Sequence, residues 1–576
     1  MCAIAGFWGN RGKADLGKML HVLNHRGPDD SGTHIDGDVF LGNNRLAIID
    51  LSSKGHQPMF NEDKSICIVY NGEIYNFKDI RKVLEKKYKF KSNSDTEVIL
   101  RGYQEWGTQV LQKLNGMFAF VIYDKKKNLL FGARDRLGEK PFKYYWDGSF
   151  FAFASEIKGL LPIIPSSPEP DISALEEYLI LLYVPAPKTG FKNIFKLPPA
   201  SYFIFQNKKL TIKKYWSLDF SDKLNLNEEE WEELIFEKLK NSVESRMIAD
   251  VPVGTFLSGG VDSSTVTGLA AAVTARKLNT FNIGFDNTEL DESMYATKVA
   301  QVYHTQHHNL IVDSEMTKKT LLGSFEYFDE PFADNSLIPT LILSEFTSKK
   351  VKVALSGDGG DENFGGYQRY SMLAFGESYK KLPTFVRAGL KLPLRLHEHT
   401  KTFVNTVDLP FKQKYLQFNP FFERKTNKSL INTFDPRLSD FDNALKFDIL
   451  NYLPEDLLFK VDIASMAHSL EVRAPFLNYE LLELTAKMPQ SLKVGSFHTK
   501  YLLKKILKKK KILPQDIIYR KKQGFVSPIE KLLKGDLKDF ATETLSQKKY
   551  ESIPIKKDSR SLFAQVTLSL WSQKYL

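Results

Sequence analysis

Val253-Gly254-Thr255-Phe256-Leu257-Ser258-Gly259-Gly260-Val261-Asp262-Ser263-Ser264 is the run on which the fold turns. Apolar residues stop at a glycine pair and give way to a helical pattern through about Ala275, so the run reads as strand, tight loop and helix. Two glycines let the backbone approach a ligand closely, and the serine hydroxyls and free N–H groups of the helix start lie on one side. That arrangement cradles an anion. No Gly-Lys-Ser or Gly-Lys-Thr follows, which excludes the Walker loop. A plain glycine turn before a helix accounts for the glycines but not for the serines and aspartate in this order.

Working outward, Phe281-Asn282-Ile283-Gly284-Phe285 reads as a second strand and Val351-Lys352-Val353-Ala354-Leu355 as a later one, with helical patterns between. Such alternation predicts a doubly wound parallel sheet whose ligands bind at the carboxyl ends of the strands. The quoted run resembles the SGGxDS pyrophosphate loop of enzymes that adenylate a substrate. The resemblance implies ATP, with the adenine against Leu257 and Ile283 and the phosphates at Ser258, Gly259, Gly260, Asp262 and Ser263. Ser356-Gly357-Asp358-Gly359-Gly360-Asp361-Glu362 places three carboxylates among three glycines. Hard oxygen ligands beside phosphates suit Mg²⁺, whereas the spacing of a helix-loop-helix calcium site is absent. A flexible acidic turn is the other reading.

At 576 residues the chain exceeds one ordinary core, so at least two domains are expected. A net charge of +11 comes without a basic arm, zinc spacing or RNA-binding signature, so no nucleic-acid partner is expected. The run Lys508 to Lys511 reads as a solvated helix face. Cys2 and Cys67 are too few for a disulfide framework and fit a reducing compartment. No stretch approaches the roughly 20 apolar residues of a membrane helix, and no signal-peptide organisation opens the chain. A cytoplasmic protein without a membrane partner is expected.

Met1-Cys2-Ala3-Ile4-Ala5-Gly6-Phe7-Trp8-Gly9 opens as an apolar strand. Trimming of the methionine would put a thiol and a free α-amine on Cys2, a nucleophile with its own base. The amine's pKa of roughly 7.7–8.0 leaves a useful fraction able to accept the thiol proton. Four segments follow in order: His25-Arg26-Gly27-Pro28-Asp29-Asp30, Asn43-Asn44-Arg45-Leu46, Tyr70-Asn71-Gly72-Glu73 and Ser94-Asp95-Thr96-Glu97. His25 and His56 read as loop-building. Hairpin-like strands then run through Phe120 to Ala154, predicting antiparallel sheets with helices outside.

These segments after a terminal cysteine resemble the glutaminase domain of class II glutamine amidotransferases, to about Phe205. The resemblance implies an α+β Ntn-type fold of helix, sheet, sheet and helix layers over residues 1–206. It makes Cys2 the nucleophile and Asn71 and Gly72 the oxyanion hole. Glutamine would be held by Arg45, whose planar fork suits a carboxylate, with Glu73 and Asp95 meeting its α-ammonium. Residues 207–227 are expected as a linker, with Ser217 to Asn227 its polar part. Asn227 then starts an amphipathic helix with Trp231, Leu234, Ile235 and Leu239 on its apolar face.

Residues 228–576 resemble the synthetase half of the asparagine synthetase family, an α/β doubly wound domain with a largely helical C-terminal part. The matching motifs there are His468 to Leu477 and Arg520-Lys521-Lys522-Gln523-Gly524-Phe525. The resemblance makes Asp262 and Asp361 Mg²⁺ ligands. Asp358 would lie near an acyl-adenylate, Lys522 would stabilise α-phosphate charge, and Glu471 would shape the substrate pocket or accept a proton. Glutamine, ATP and aspartate are the implied substrates, in a homodimer. One well-known type of asparagine synthetase carries glutamate at the position of Asp358 and Lys-Glu-Gln-Phe at 522–525. Amidation of a sugar acid or peptide carboxylate in surface-polymer biosynthesis is therefore the alternative, and a non-catalytic scaffold the rival from another class.

Overall fold

The computed structural model describes residues 2–165, 167–286, 291–396, 403–418, 434–495, 498–521, 524, 529–547 and 559–576. Its first half is built on strands that alternate between two cores. In β1 (Cys2–Trp8), Ile4 faces one hydrophobic cluster while Ala3, Ala5 and Phe7 face another, as the two-residue period of a strand requires. The first sheet joins β1 to β2 (Asp30–Asp36), β3 (Val39–Arg45), β8 (Lys143–Trp146), β9 (Phe151–Ala154) and β10 (Ile194–Lys196), in the order β10-β8-β9-β1-β3-β2. The second contains β4 (Met59–Phe60), β5 (Ile66–Ile74), β6 (Gly116–Asp124), β7 (Leu129–Arg134), β11 (Ser201–Gln206) and β12 (Lys209–Lys214), in the order β12-β11-β7-β6-β5-β4.

Ile4, Val69, Val121, Phe151 and Phe203 pack between the sheets. Helix α1 (Lys13–Val22) and helix α4 (Ile172–Leu181) cover the outer face of the first sheet, and α2 (Phe77–Leu84) and α3 (Asp95–Trp106) that of the second. This is the expected layering. One boundary differs. Strand β12 falls inside the stretch expected as linker, because Asn207 and Lys208, at φ 51° and 56°, form a two-residue turn that folds it back on β11. The remaining polar stretch has no regular structure but is not loose: Leu218 and Phe220 are buried beside Tyr370 and Phe441.

Helix α5 (Glu228–Arg246) begins where Asn227 accepts hydrogen bonds from the N–H groups of Glu229 and Glu230, a capping box with Glu230. Trp231, Ile235 and Leu239 form its buried stripe at four-residue spacing, whereas Leu234, off that stripe, is exposed. The lysine run is only partly a solvated face. Lys509 and Lys510 pair with Glu232 and Glu233 of α5 at 2.6 and 2.8 Å.

The second half is organised by β13 (Val253–Phe256), β14 (Asn279–Phe285), β15 (Gln306–Val312), β16 (Val353–Leu355) and β17 (Glu471–Arg473), all parallel, in the order β15-β14-β13-β16-β17. Helix α6 (Val261–Val273) follows β13 directly. No described helix is long and apolar enough to cross a membrane.

The two halves share a core. One cluster runs from Leu16 and Ile157 through Tyr178 and Phe332 to Phe459 and Trp571. Trp571, on the helix Ser559–Tyr575, donates to Asp329 O at 3.0 Å and packs its ring, tilted by 52°, against Phe191 of the first half with centroids 4.9 Å apart. Trp571→Ala is expected to cost about 3–5 kcal/mol and to lower one common calorimetric transition. Two separated transitions, or no shift, would count against a shared core.

Candidate active site

Two clusters of polar side chains gather the residues expected at the two sites. The first surrounds Cys2, which is 6% exposed and sits opposite Arg45 in the β1–β3 ladder. The Cys2 nitrogen donates to Asn71 Oδ1 at 3.0 Å, and its carbonyl accepts from Arg26 Nε at 3.3 Å. Asn71 is fully buried in β5, and its Nδ2 has no hydrogen-bond partner among the described residues. A buried amide donor left open next to a thiol is what a developing oxyanion requires. A Cβ at Gly72 would come within 2.2 Å of Met117 O, so only glycine fits there. Burial pushes the Cys2 thiol up, against the pull of the Arg45 charge. A protonated thiol at neutral pH needs a base before it can attack.

The Arg45 guanidinium donates to the carbonyls of Ile49 at 3.1 Å, Asp50 at 2.5 Å and Ser52 at 3.3 Å. Its fork is thus closed on the 49–52 loop, and a Cβ at Gly55 would lie 2.1 Å from its Nη2. Asp95 accepts from Tyr70 Oη at 2.7 Å and Ile74 N at 2.9 Å. Glu73 is buried, and desolvation together with the Asp95 charge pushes its carboxyl up. Its partner comes from the other half of the chain: Arg473 Nη2 lies 2.9 Å from Glu73 Oε2.

The same arginine reaches Glu471, expected to shape the substrate pocket or accept a proton, which opens β17 in register with Val353. Glu471 pairs with Arg473 Nε at 2.5 Å, and Arg473 also donates to the carbonyls of Arg246 and Ile248. The arginine holds the Glu471 carboxyl below its usual range, although burial opposes this. The Glu471 charge in turn acts on the Cys2 thiol.

The second cluster is the glycine loop. Ser258 Oγ and Ser263 Oγ lie 3.0 Å apart, and Gly260 N donates to Ser258 Oγ at 3.3 Å. Gly259 has φ +71°, and a Cβ there would meet Ala296 N at 2.6 Å. Gly260 caps the thirteen-residue α6 without a side-chain hydrogen bond, leaving the helix start open toward the loop. Gly357 packs so close that a Cβ would lie 2.8 Å from Ser263 N. Ser356 Oγ donates to Asp358 Oδ2 at 2.7 Å, and burial pushes the Asp358 carboxyl up. Leu257 and Ile283, the residues expected beside an adenine, are buried and belong to different hydrophobic clusters. Lys522 lies outside the described residues.

Asp262 and Asp361, expected to share a metal, are brought together, and both pair with Lys500 Nζ, Asp361 at 2.8 Å. Among the described residues no group of three or more His, Cys, Asp or Glu side chains is placed to hold a metal. Sequence reasoning missed Lys500, Arg473 and Lys460. Lys460 is buried and pairs with Asp334 at 2.6 Å, within electrostatic range of Asp358. One signal was available: Lys500 stands at the N-cap of the helix Tyr501–Lys509, where the helix dipole disfavours a cation.

Residues 234–573 match the asparagine synthase family and residues 1–216 the glutamine amidotransferase domain. A putative glutamine-hydrolysing asparagine synthetase of Methanocaldococcus jannaschii is 39% identical over 81% of this chain and 98% of its own length. Glutamine-hydrolysing asparagine synthetase 1 of Bacillus subtilis is 33% identical over 92% of this chain and 86% of its own. An amidase of Penicillium rubens is 28% identical over 96% of this chain and 93% of its own.

Arg473→Met would strand two buried carboxylates, at a cost of about 3–5 kcal/mol. In the wild type Glu471 is held down, so its contribution exists above the unfolded carboxylate pKa and is lost as pH falls. Without the arginine the sign reverses. The variant's carboxyls would titrate above their unfolded values, and its stability should fall as pH rises from 5 to 8. Denaturant unfolding across that range checks it; a deficit independent of pH would assign Arg473 to packing alone.

Proposed function

The chain belongs to the asparagine synthase family, and from that premise we propose that it converts ATP, aspartate, glutamine and water to AMP, diphosphate, asparagine and glutamate. Membership makes it a carbon–nitrogen ligase that takes its nitrogen from glutamine. The observation that carries the finer reading is the pairing of an open, buried Asn71 amide with Cys2 at one site and an open helix start with convergent aspartates at the other.

In this reading, removal of Met1 frees the Cys2 α-amine, 3.0 Å from Asn71 Oδ1, to take the proton of its own thiol. The thiolate attacks the glutamine carboxamide, Asn71 Nδ2 and the Gly72 N–H stabilise the oxyanion, ammonia leaves, and water hydrolyses the thioester. Arg45 takes the α-carboxylate once its fork turns from the loop carbonyls, and Asp95 and Glu73 face the α-ammonium. At the second site the β-carboxylate of aspartate attacks the α-phosphorus, diphosphate leaves, and ammonia displaces AMP from the β-aspartyl-AMP. Ammonia released into water would become non-nucleophilic ammonium, so the transfer requires a shielded passage.

Two convergent carboxylates next to a phosphate cradle suit Mg²⁺, which takes one or two protein carboxylates and fills its shell with phosphate oxygens and water. Asp262 and Asp361 would hold it, and it would neutralise phosphate charge as diphosphate departs. The alternative acceptor, a sugar acid or peptide carboxylate, is favoured by the short side chain of Asp358. We also infer a cytoplasmic homodimer from the family resemblance.

Incubation with glutamine, ATP, Mg²⁺ and aspartate should yield glutamate, diphosphate and asparagine in matched amounts. Glutamate and diphosphate without asparagine would discard aspartate as acceptor, and no product at all would favour the scaffold. Cys2→Ala should depress glutamine-dependent synthesis by about a thousandfold or more while ammonia-dependent synthesis persists. Loss of both would contradict two separable sites.

A further inference from the structure

Lys500 is buried to 4% exposure, adopts a left-handed backbone (φ 56°, ψ 39°), and lays its ammonium between Asp262 and Asp361. Two glycines make the room. A Cβ at Gly366 would lie 2.2 Å from Lys500 Cε and 1.9 Å from Asp361 Oδ1, and one at Gly360 would lie 2.5 Å from Asp262 Oδ1. The lysine's place is thus built by three separate segments. Its two carboxylates keep it charged well above the usual lysine range, although burial opposes this. No role is assigned to it by the motifs of the sequence.

We propose that Lys500 is a resident cation that holds the Asp262–Asp361 pair before nucleotide binds, so that a divalent ion binds there only together with a polyphosphate. The inference rests on the reading of this loop as an ATP site. Two carboxylates and one ammonium sum to −1. A divalent ion brought in alone must take over both carboxylates, and Lys500, with a side chain only 6% exposed, is left in the interior without a counter-charge. Stranding a buried ammonium is costly. A triphosphate removes that cost, because its oxygens complete the metal shell and accept the displaced ammonium. Metal and nucleotide then raise each other's affinity by the same factor.

Lysine suits this role better than arginine would. Its ammonium is a point charge on a flexible four-carbon stem, free to turn from carboxylate to phosphate without matching a planar fork. Lys500 is in this sense a positioning residue for the metal rather than a catalytic one.

Mn²⁺ binding followed by electron paramagnetic resonance tests this on the full-length protein, with and without α,β-methylene ATP, which resists cleavage at the bond in question. For the wild type, nucleotide is expected to tighten Mn²⁺ binding at least tenfold. In Lys500→Met and Lys500→Gln, nucleotide-free Mn²⁺ binding should strengthen at least tenfold, and the nucleotide effect should shrink. Asp361→Asn added to either should abolish the gained site. Equal Mn²⁺ affinity with and without nucleotide in the wild type overturns the proposal without recourse to any variant. So does a folded Lys500 variant whose nucleotide-free affinity is unchanged. If the analogue fails to bind the wild type even with Mn²⁺, the ATP reading of the loop falls instead.

Discussion

The structure depends on charge that two halves of one chain have buried against each other. Arg473, from the parallel sheet, is inaccessible to water and reaches Glu73 in the antiparallel sheet at 2.9 Å. Arg26, equally buried, runs the other way, to Asp462 at 2.8 Å, while also holding Glu156. Lys196 bridges Glu330 and Glu455 at 2.8 and 3.1 Å. Each ion costs several kcal/mol to remove from water, and only a close partner recovers it. An approximate docking of the halves would leave such ions unpaired. The interface therefore fixes geometry more than it adds stability, and what it fixes is the relation of β5, with Asn71 and Glu73, to β17.

This explains why some of the chain was legible and some was not. Local signals survive folding: the glycines after β13 and β16 mark loops because no side chain fits there, and Asn227 marks a helix start because its side chain satisfies N–H groups within three residues. The alternation of β1 and β5 announces two cores even though both strands are buried almost throughout. Long-range placement left no such trace. Glu471 sits in a motif whose letters do not show that Arg473, two residues on, ties it to Glu73 of the other half. Leu234 fits a broad helical stripe by count, but the face packed into the core carries Trp231, Ile235, Leu239 and Val243 and leaves Leu234 exposed. The hairpin at Asn207-Lys208 lacks the glycine that marks such turns.

The choice of cation at each site separates permanent from exchangeable neutralisation. Carboxylates belong to both proposed sites: Glu73 and Asp95 with Cys2, and Asp262 and Asp361 with the phosphate loop. At the first site the resident cation is Arg473, whose fork is satisfied by two carboxylates and two backbone carbonyls at once. A guanidinium fixed by four acceptors, two of them main chain, has no lower-energy place to go. It holds Glu471, whose charge acts on the thiol, and stays. In the phosphate loop the resident cation is Lys500, which among the described residues pairs with the two carboxylates that an incoming metal would claim. A point charge on a flexible stem can pass to a stronger acceptor that comes within its reach. Because the acceptors a phosphate offers are stronger than any side-chain hydroxyl in the loop, polyanion arrival and cation exchange become, in this proposal, a single event.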